Sequence, residues 1–155
     1  MKFELLLLLL DDKLIYRAKS RSASSLGVES SMAVFKNYGY WGDNQGNLIG
    51  AAGLCYIDWV NRTSDFSIYI GWKGLYIDGD FAPDAARTII KYAFEELGLN
   101  RLWSEIYNFD HSKVRFFNEL GFKLDGKHRQ THWSENAWHD SLFFSLLASD
   151  PQPCN

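Results

Sequence analysis

Cysteine is scarce in this chain: 155 residues carry two, Cys55 and Cys154. They form no Cys-x-x-Cys pair and no disulfide framework, so they read as one buried thiol and one incidental tail thiol in a reducing, cytoplasmic setting. Membrane-length apolar runs are missing too. Leu5–Leu10 falls far short of the roughly 20 residues that span a bilayer. Asp11 and Asp12 follow it with no small-residue cleavage site, so it is not a signal peptide either and reads as a strand. There is no basic run. The 16 Lys and Arg against 19 Asp and Glu leave a net charge of −3, which disfavours a general nucleic-acid binder. No repeat is visible, and no low-complexity segment beyond the leucines. What the chain has in quantity is aromatic surface: 16% Phe, Trp and Tyr within 46% hydrophobic residues, which excludes disorder for most of its length. Trp41, Trp59, Trp72, Trp103, Trp133 and Trp138 fit either a core or an interface, a homodimer included. The length suits one domain over residues 1–149, with a flexible tail at 150–155 containing Pro151 and Pro153.

The hydrophobic pattern changes period along the chain. Ser20–Ser31 reads as a loop or short helix, and Met32–Trp41 as a strand. The Asn/Gly chemistry of Asp43–Asn47 makes a turn. Leu48–Val60 is a long apolar strand in which Gly50 and Gly53 suggest a bulge. Asn61–Ser64 turns, and Asp65–Ile70 alternates as a strand. Then Ala86, Ile89, Ile90, Ala93, Phe94 and Leu97 recur at three- and four-residue spacing, a helix opened by Pro83 at its first position and closed by Gly98. Arg101–Tyr107 follows as a strand, so strand, helix and strand make a right-handed parallel crossover. Asp110 caps a second helix carrying Val114, Phe117 and Leu120, with Gly121 after it. Phe122–Trp133 and Trp138–Leu147 are joined by the turn Ser134–Ala137. The class is α/β (α+β): an antiparallel meander, a parallel crossover and a final hairpin.

Three strings in this order resemble the GNAT superfamily of acetyl-CoA-dependent N-acetyltransferases: LIGAAGLCYIDWVNRTSDFSIYIGWKGL (Leu48–Leu75), IIKYAFEELGLNRLWSEIYN (Ile89–Asn108), and RFFNELGFKLDGKHRQ with WHDSLFFSLL (Trp138–Leu147). They are similar to the branch that acetylates ribosomal-protein N-termini and nucleotide-linked amino sugars. The resemblance implies a sheet whose central parallel strands, Asp65–Ile70 and Arg101–Tyr107, splay at one end. The backbone of Ile68, Tyr69 and Ile70 would then hydrogen-bond the pantetheine arm of acetyl-CoA as a strand would. Gly79, Asp80, Phe81 and Ala82 would face the pyrophosphate before the long helix, with Asp110 and Phe117 at two further cofactor positions. The acceptor would be a primary amine, on an amino sugar or a peptide N-terminus, with no nucleic acid, membrane or metal involved. The family's N-terminal strand and two helices are abbreviated here, so the acceptor side would be open or completed by a second subunit.

Several positions depart from the family pattern. The phosphate loop is YIDGDFAPDAAR (Tyr76–Arg87), in which Gly79 alone remains as a glycine. Asp78, Asp80 and Asp84 bring negative charge toward a diphosphate; two like charges 6 Å apart repel by roughly 3 kcal/mol at an effective dielectric near 20. Equally, these aspartates suit a helix N-terminus by the dipole rule. Lys73, Arg87 or Lys113 could compensate. Asp110 stands for the family's asparagine, and Phe117 for the tyrosine that serves as general acid. Tyr107 and His111 are the substitute acids, and Asp65 and Glu105 the candidate bases. Asp140, in the WHD string, reads as structural. These losses leave a second reading open: a catalytically impaired GNAT-fold module that binds a ligand or a protein.

Overall fold

The computed structural model describes residues 37–42, 48–71, 74–77 and 81–151. Leu5–Leu10, Ser20–Ser31, the turn at 43–47, Trp72, Lys73, Asp78, Gly79, Asp80 and Cys154 lie outside the described residues. The strands are β1 (Asn37–Gly42), β2 (Leu48–Asp58), β3 (Thr63–Ile70), β4 (Arg101–Tyr107), β5 (Lys123–Ser134) and β6 (Ala137–Leu147). The helices are α1 (Phe81–Lys91) and α2 (His111–Glu119). The strands form one mixed sheet in the order β1-β2-β3-β4-β6-β5. Its parallel step is β3 to β4, and β1–β2, β4–β6 and β5–β6 pair antiparallel. This is the mixed architecture that the change of period implied.

The chain divides into two compact units, one holding residues up to Tyr56 with Phe66–Ile89, the other Ile57–Asp65 with Ile90 onward. In the first, Phe66, Ile68 and Ile70 alternate inward along β3, and α1 buries Ala82, Ala85, Ala86 and Ile89. Cys55 is buried here, as a small hydrophobe, and is in no disulfide. The bulge lies beside Gly50: Trp41 pairs Gly50 while Gly42 pairs Leu48, so Ile49 is the extra residue. Gly53 stays in register with Tyr38. Gly50 has a further reason to be glycine. A Cβ there would run into the Tyr69 carbonyl oxygen and come within 2.9 Å of Ile70 Cα.

The second unit builds its core from Leu99, Leu102 and Ile106, from Phe116, Phe117 and Leu120 of α2, and from Phe122, Phe144 and Leu146. Each such side chain contributes about 1.5–3 kcal/mol of burial. Asp110 caps α2, its Oδ1 accepting from the Lys113 N–H at 3.1 Å, and Gly121 leaves the helix at φ +86°. The β5–β6 turn is the expected Ser134–Ala137, with Ser134 paired to Ala137 and the central Glu135 and Asn136 both at positive φ.

Other expectations are corrected. Asp58, not Val60, ends β2, because its carboxylate accepts from the Val60 and Asn61 N–H groups, each at 2.9 Å, and makes the turn itself. Strand β3 consequently begins at Thr63. Pro83 is the third residue of α1, still within the first turn, where no intrahelical N–H is needed. The α-helical period stops at Lys91; Tyr92–Glu96 is a π-helical turn, with the Leu97 N–H reaching the Tyr92 carbonyl at 3.1 Å. Asp150 is not part of a loose tail: it accepts from Lys123 Nζ at 2.5 Å and from the Leu147 N–H at 3.0 Å. Trp59, Trp133 and Trp138 are 61%, 54% and 56% exposed, which removes core filling as their role.

Gly50→Ala should destabilise the protein by about 1–3 kcal/mol, because backbone atoms rather than a flexible side chain oppose the new methyl. Urea denaturation reads this directly, and an unchanged midpoint would mean that β3 moves aside at no cost.

Candidate active site

The parallel ladder between β3 and β4 is short. It pairs Thr63, Ser64 and Asp65 with Arg101, Leu102 and Trp103, and stops there. On its other edge β4 is paired to β6 through all seven residues, from Arg101–Leu147 to Tyr107–Ser141. The closed end is fastened twice more: the Arg62 carbonyl accepts from the Asn100 N–H at 2.6 Å and the Arg101 N–H at 3.1 Å. Asp65 and Trp103 therefore stand at the point where the two strands stop sharing hydrogen bonds. A parallel strand that ends its pairing in mid-course offers its edge to an extended ligand.

The catalytic candidates Asp65, Glu105, Tyr107 and His111 all belong to the second unit. Asp65 is half-buried at the last ladder position. Close to it in electrostatic terms is Lys113, in the first turn of α2. Burial holds the Lys113 ammonium below the usual lysine range, while the carboxylates of Asp110 and Asp65 pull the other way. Lys113 thus answers two aspartates. His111 opens α2 and is exposed. Phe117 is fully buried, its ring against Phe122 at 4.8 Å edge-to-face. That ring is spent on the core and carries no proton.

Tyr107, 38% exposed, lies flat on His132 with ring centroids 4.2 Å apart and on Phe109 at 5.6 Å. Glu105 lies on the same face of β4, two residues back. Ser141 donates a hydrogen bond to Glu105 Oε1, and the Ser141 hydroxyl lies 2.5 Å from Thr131 Oγ1. Ser141 is fully buried and lies on the adjacent strand, so the exposed carboxylate is held from the side. Beside it, His128 and Phe143 rings lie 4.4 Å apart and Trp103 and Phe143 rings 6.2 Å apart.

The neighbouring β5 is irregular. His128 pairs Ser141 but His132 pairs His139, so β5 carries two extra residues there, with Gln130 at φ +53°. Asp140 holds this detour. Its Oδ1 accepts from the Gln130 N–H at 2.8 Å and its Oδ2 meets Lys127 Nζ at 3.0 Å; these bonds keep its carboxyl below the usual range. An open cavity of about 710 Å³ is lined by His128, Arg129, Gln130 and Asp140. The bulge places His132 against Tyr107, a contact with no signal in the sequence. Ser141, Thr131 and His132 are the residues that sequence reasoning missed.

The cofactor candidates Ile68, Tyr69, Ile70, Phe81 and Ala82 belong to the first unit. Ile68, Ile70 and Ala82 point into its core, and Tyr69 is 65% exposed. For these strand residues the backbone, not the side chain, is what a pantetheine arm would meet. Gly79 and Asp80 lie outside the described residues, while Asp110 and Phe117 sit with α2.

The family model described as "Acetyltransferase (GNAT) domain" matches residues 14–123, reaching further toward the N-terminus than the strings that suggested it. The chain belongs to that family. Among curated proteins it is similar to the SPbeta prophage-derived uncharacterized N-acetyltransferase YokL of Bacillus subtilis, 23% identical over 108 residues covering 70% of this chain and 60% of that protein. It is also similar to YdaF of the same organism, provisionally named a ribosomal N-acetyltransferase, at 33% identity over 66% of this chain and 55% of the relative. The chain spans 49% to 60% of the length of the curated relatives it matches. The solved spermidine/spermine N-acetyltransferase SpeG of Vibrio cholerae superposes with a TM-score of 0.68 at 20% identity, over 90% of this chain and 84% of that one, a likeness of fold. No described helix is long and apolar enough to cross a membrane.

Lys113 gives the site a pH signature. Its folded pKa lies below its unfolded one, so the unfolded chain binds the proton more tightly and a charged Lys113 costs stability at neutral pH. Stability should therefore rise as pH climbs from the folded pKa toward the unfolded value near 10.4. Lys113→Met should remove that rise, its advantage over the wild type shrinking as pH increases. Urea midpoints between pH 7 and 10 test this, and parallel curves for the two proteins would refute it.

Proposed function

We propose that this chain is an acetyl-CoA-dependent N-acetyltransferase acting on a primary amine. The observation that supports it most is the β3–β4 ladder ending after three pairs while β4 stays fully paired to β6. The β3 backbone beyond Asp65, Ser67–Ile70 in particular, would hold the pantetheine arm, and the start of α1 would face the phosphates. Acetyl-CoA supplies the acyl thioester when bound. Asp65, at the fork, takes the proton from the acceptor ammonium so that the neutral amine can attack. Tyr107, its ring held in a cluster with His132 and Phe109, offers the phenolic proton that Phe117 lacks. His111 is the remaining donor candidate, and Glu105 lies one step further along β4.

The names of related proteins cover polyamine and ribosomal acceptors, so the acceptor is taken here at the wider level of a primary amine, with an amino sugar or a peptide N-terminus as particular cases. A reducing, cytoplasmic compartment agrees with the cysteine usage. The exposed Trp59, Trp133 and Trp138 favour a partner surface and hence a homodimer. The competing reading, an impaired GNAT-fold binding module, draws its support from Phe117, buried where the family has its acid.

Calorimetric titration with acetyl-CoA separates the two. Binding near the micromolar range is expected, and affinity of about a millimolar or weaker would leave the binding-module reading in place. If transfer to a primary amine is seen, Asp65→Asn should lower kcat/KM by roughly 10²-fold or more, and Tyr107→Phe should lower kcat with little change in KM. Full activity in Asp65→Asn would move the base elsewhere.

A further inference from the structure

The open face of β4, β6 and β5 carries a feature that acyl transfer alone does not use. Glu105 is exposed, yet its carboxylate is oriented by the buried Ser141 hydroxyl, which Thr131 supports in turn. Among the described residues no cation is paired with it. Three basic side chains of the sheet are committed elsewhere, Arg101 to Asp125 at 2.7 Å, Lys127 to Asp140 at 3.0 Å and Lys123 to Asp150 at 2.5 Å, and Arg129 lies near enough to Asp140 to help hold its carboxyl low. Phe143 is the direct cross-strand partner of Glu105, and Trp103 and Tyr107 flank it on the same face of β4. A fixed carboxylate walled by aromatic rings is suited to an alkylammonium, which gains the ion pair and the ring faces together. The three histidines of this face, His128, His132 and His139, do not make a metal site; no described cluster of His, Cys, Asp or Glu is placed to hold an ion.

We propose that Glu105, held by Ser141 and walled by Trp103, Tyr107 and Phe143, binds a second ammonium of the acceptor, which makes the acceptor an aliphatic diamine or polyamine. This rests on the acetyltransferase reading for the word acceptor, but the cation site stands on its own geometry. The amine that attacks must be neutral, so a group held as a cation at Glu105 is a different nitrogen. Asp65 is in register with Trp103, and Glu105 lies two residues on, so their Cα atoms are roughly 8 Å apart by strand geometry. The two nitrogens of extended 1,5-diaminopentane reach a comparable distance. The methylene chain between them would lie against Trp103, with Phe143 beside the ammonium at the Glu105 end.

The test is calorimetric titration of the full chain, without acetyl-CoA, with 1,5-diaminopentane and with 1-aminopentane. The wild type should prefer the diamine by about tenfold, the worth of one charge-assisted contact. Glu105→Gln, isosteric and still able to accept from Ser141, should abolish that preference while leaving acetyl-CoA binding unchanged. Ser141→Ala should reduce the preference by releasing the carboxylate. A wild type with no preference, or a Glu105→Gln protein that keeps it, overturns the proposal. A protein that binds acetyl-CoA but shows no diamine preference refutes this inference and leaves the acetyltransferase intact. One that prefers the diamine but ignores acetyl-CoA keeps the cation site and removes acyl transfer.

Discussion

Three residue pairs decide what this sheet can do. Thr63, Ser64 and Asp65 share a parallel ladder with β4, and the pairing then ends although both strands continue. A strand normally hides both edges, because unpaired N–H and C=O groups cost free energy when buried and invite aggregation when exposed. Stopping a central ladder is tolerable only if the closed end is held firmly. Here the Asp58-capped turn, the Arg62 carbonyl with its two donors, and the Ala148 N–H on the Asn100 carbonyl at 3.0 Å gather four segments at that end. The seven-pair ladder to β6 keeps β4 paired beyond the fork.

Much of this was legible in the chain, for reasons that differ from element to element. Arg101–Tyr107 alternates cleanly between turn signals, and the strand has those bounds. Asp110 and Gly121 mark α2 because capping is local chemistry, satisfied within three residues. The end of α1 was not legible. Apolar spacing continues through Phe94 and Leu97 as if the helix did, and only the backbone hydrogen bonds show the wider π turn. The ladder length was also invisible, since alternation in β3 is the same whether or not a neighbour pairs. Pro83 misled by one rule fitting several positions: any place in a first turn suits it.

The site itself divides the same way. Asp65, Glu105 and Tyr107 were candidates because of residue type and strand position. What distinguishes Glu105 came from far away in sequence: Ser141 is 36 residues on, and it reaches the carboxylate because β6 lies beside β4. His132 reaches Tyr107 through a two-residue excursion of β5 that Asp140 fastens. Asp140 was read as structural, and its carboxylate accepts the Gln130 N–H that the excursion would otherwise leave unsatisfied.

The charge pattern ties these observations together. A net charge of −3 disfavours a general nucleic-acid binder from composition alone. On the sheet, each ion pair joins a Lys or Arg to an aspartate, so the pairs cancel locally and contribute little net field. Among the described residues Glu105 has no ion-pair partner on this face of β4, and aromatic quadrupoles beside it present negative faces that act in the same direction. A carboxylate so placed attracts a cation, and salt would weaken that attraction. The negative sum over the chain and the ammonium site proposed at Glu105 thus rest on the same sign of charge, the first as a total and the second as a location.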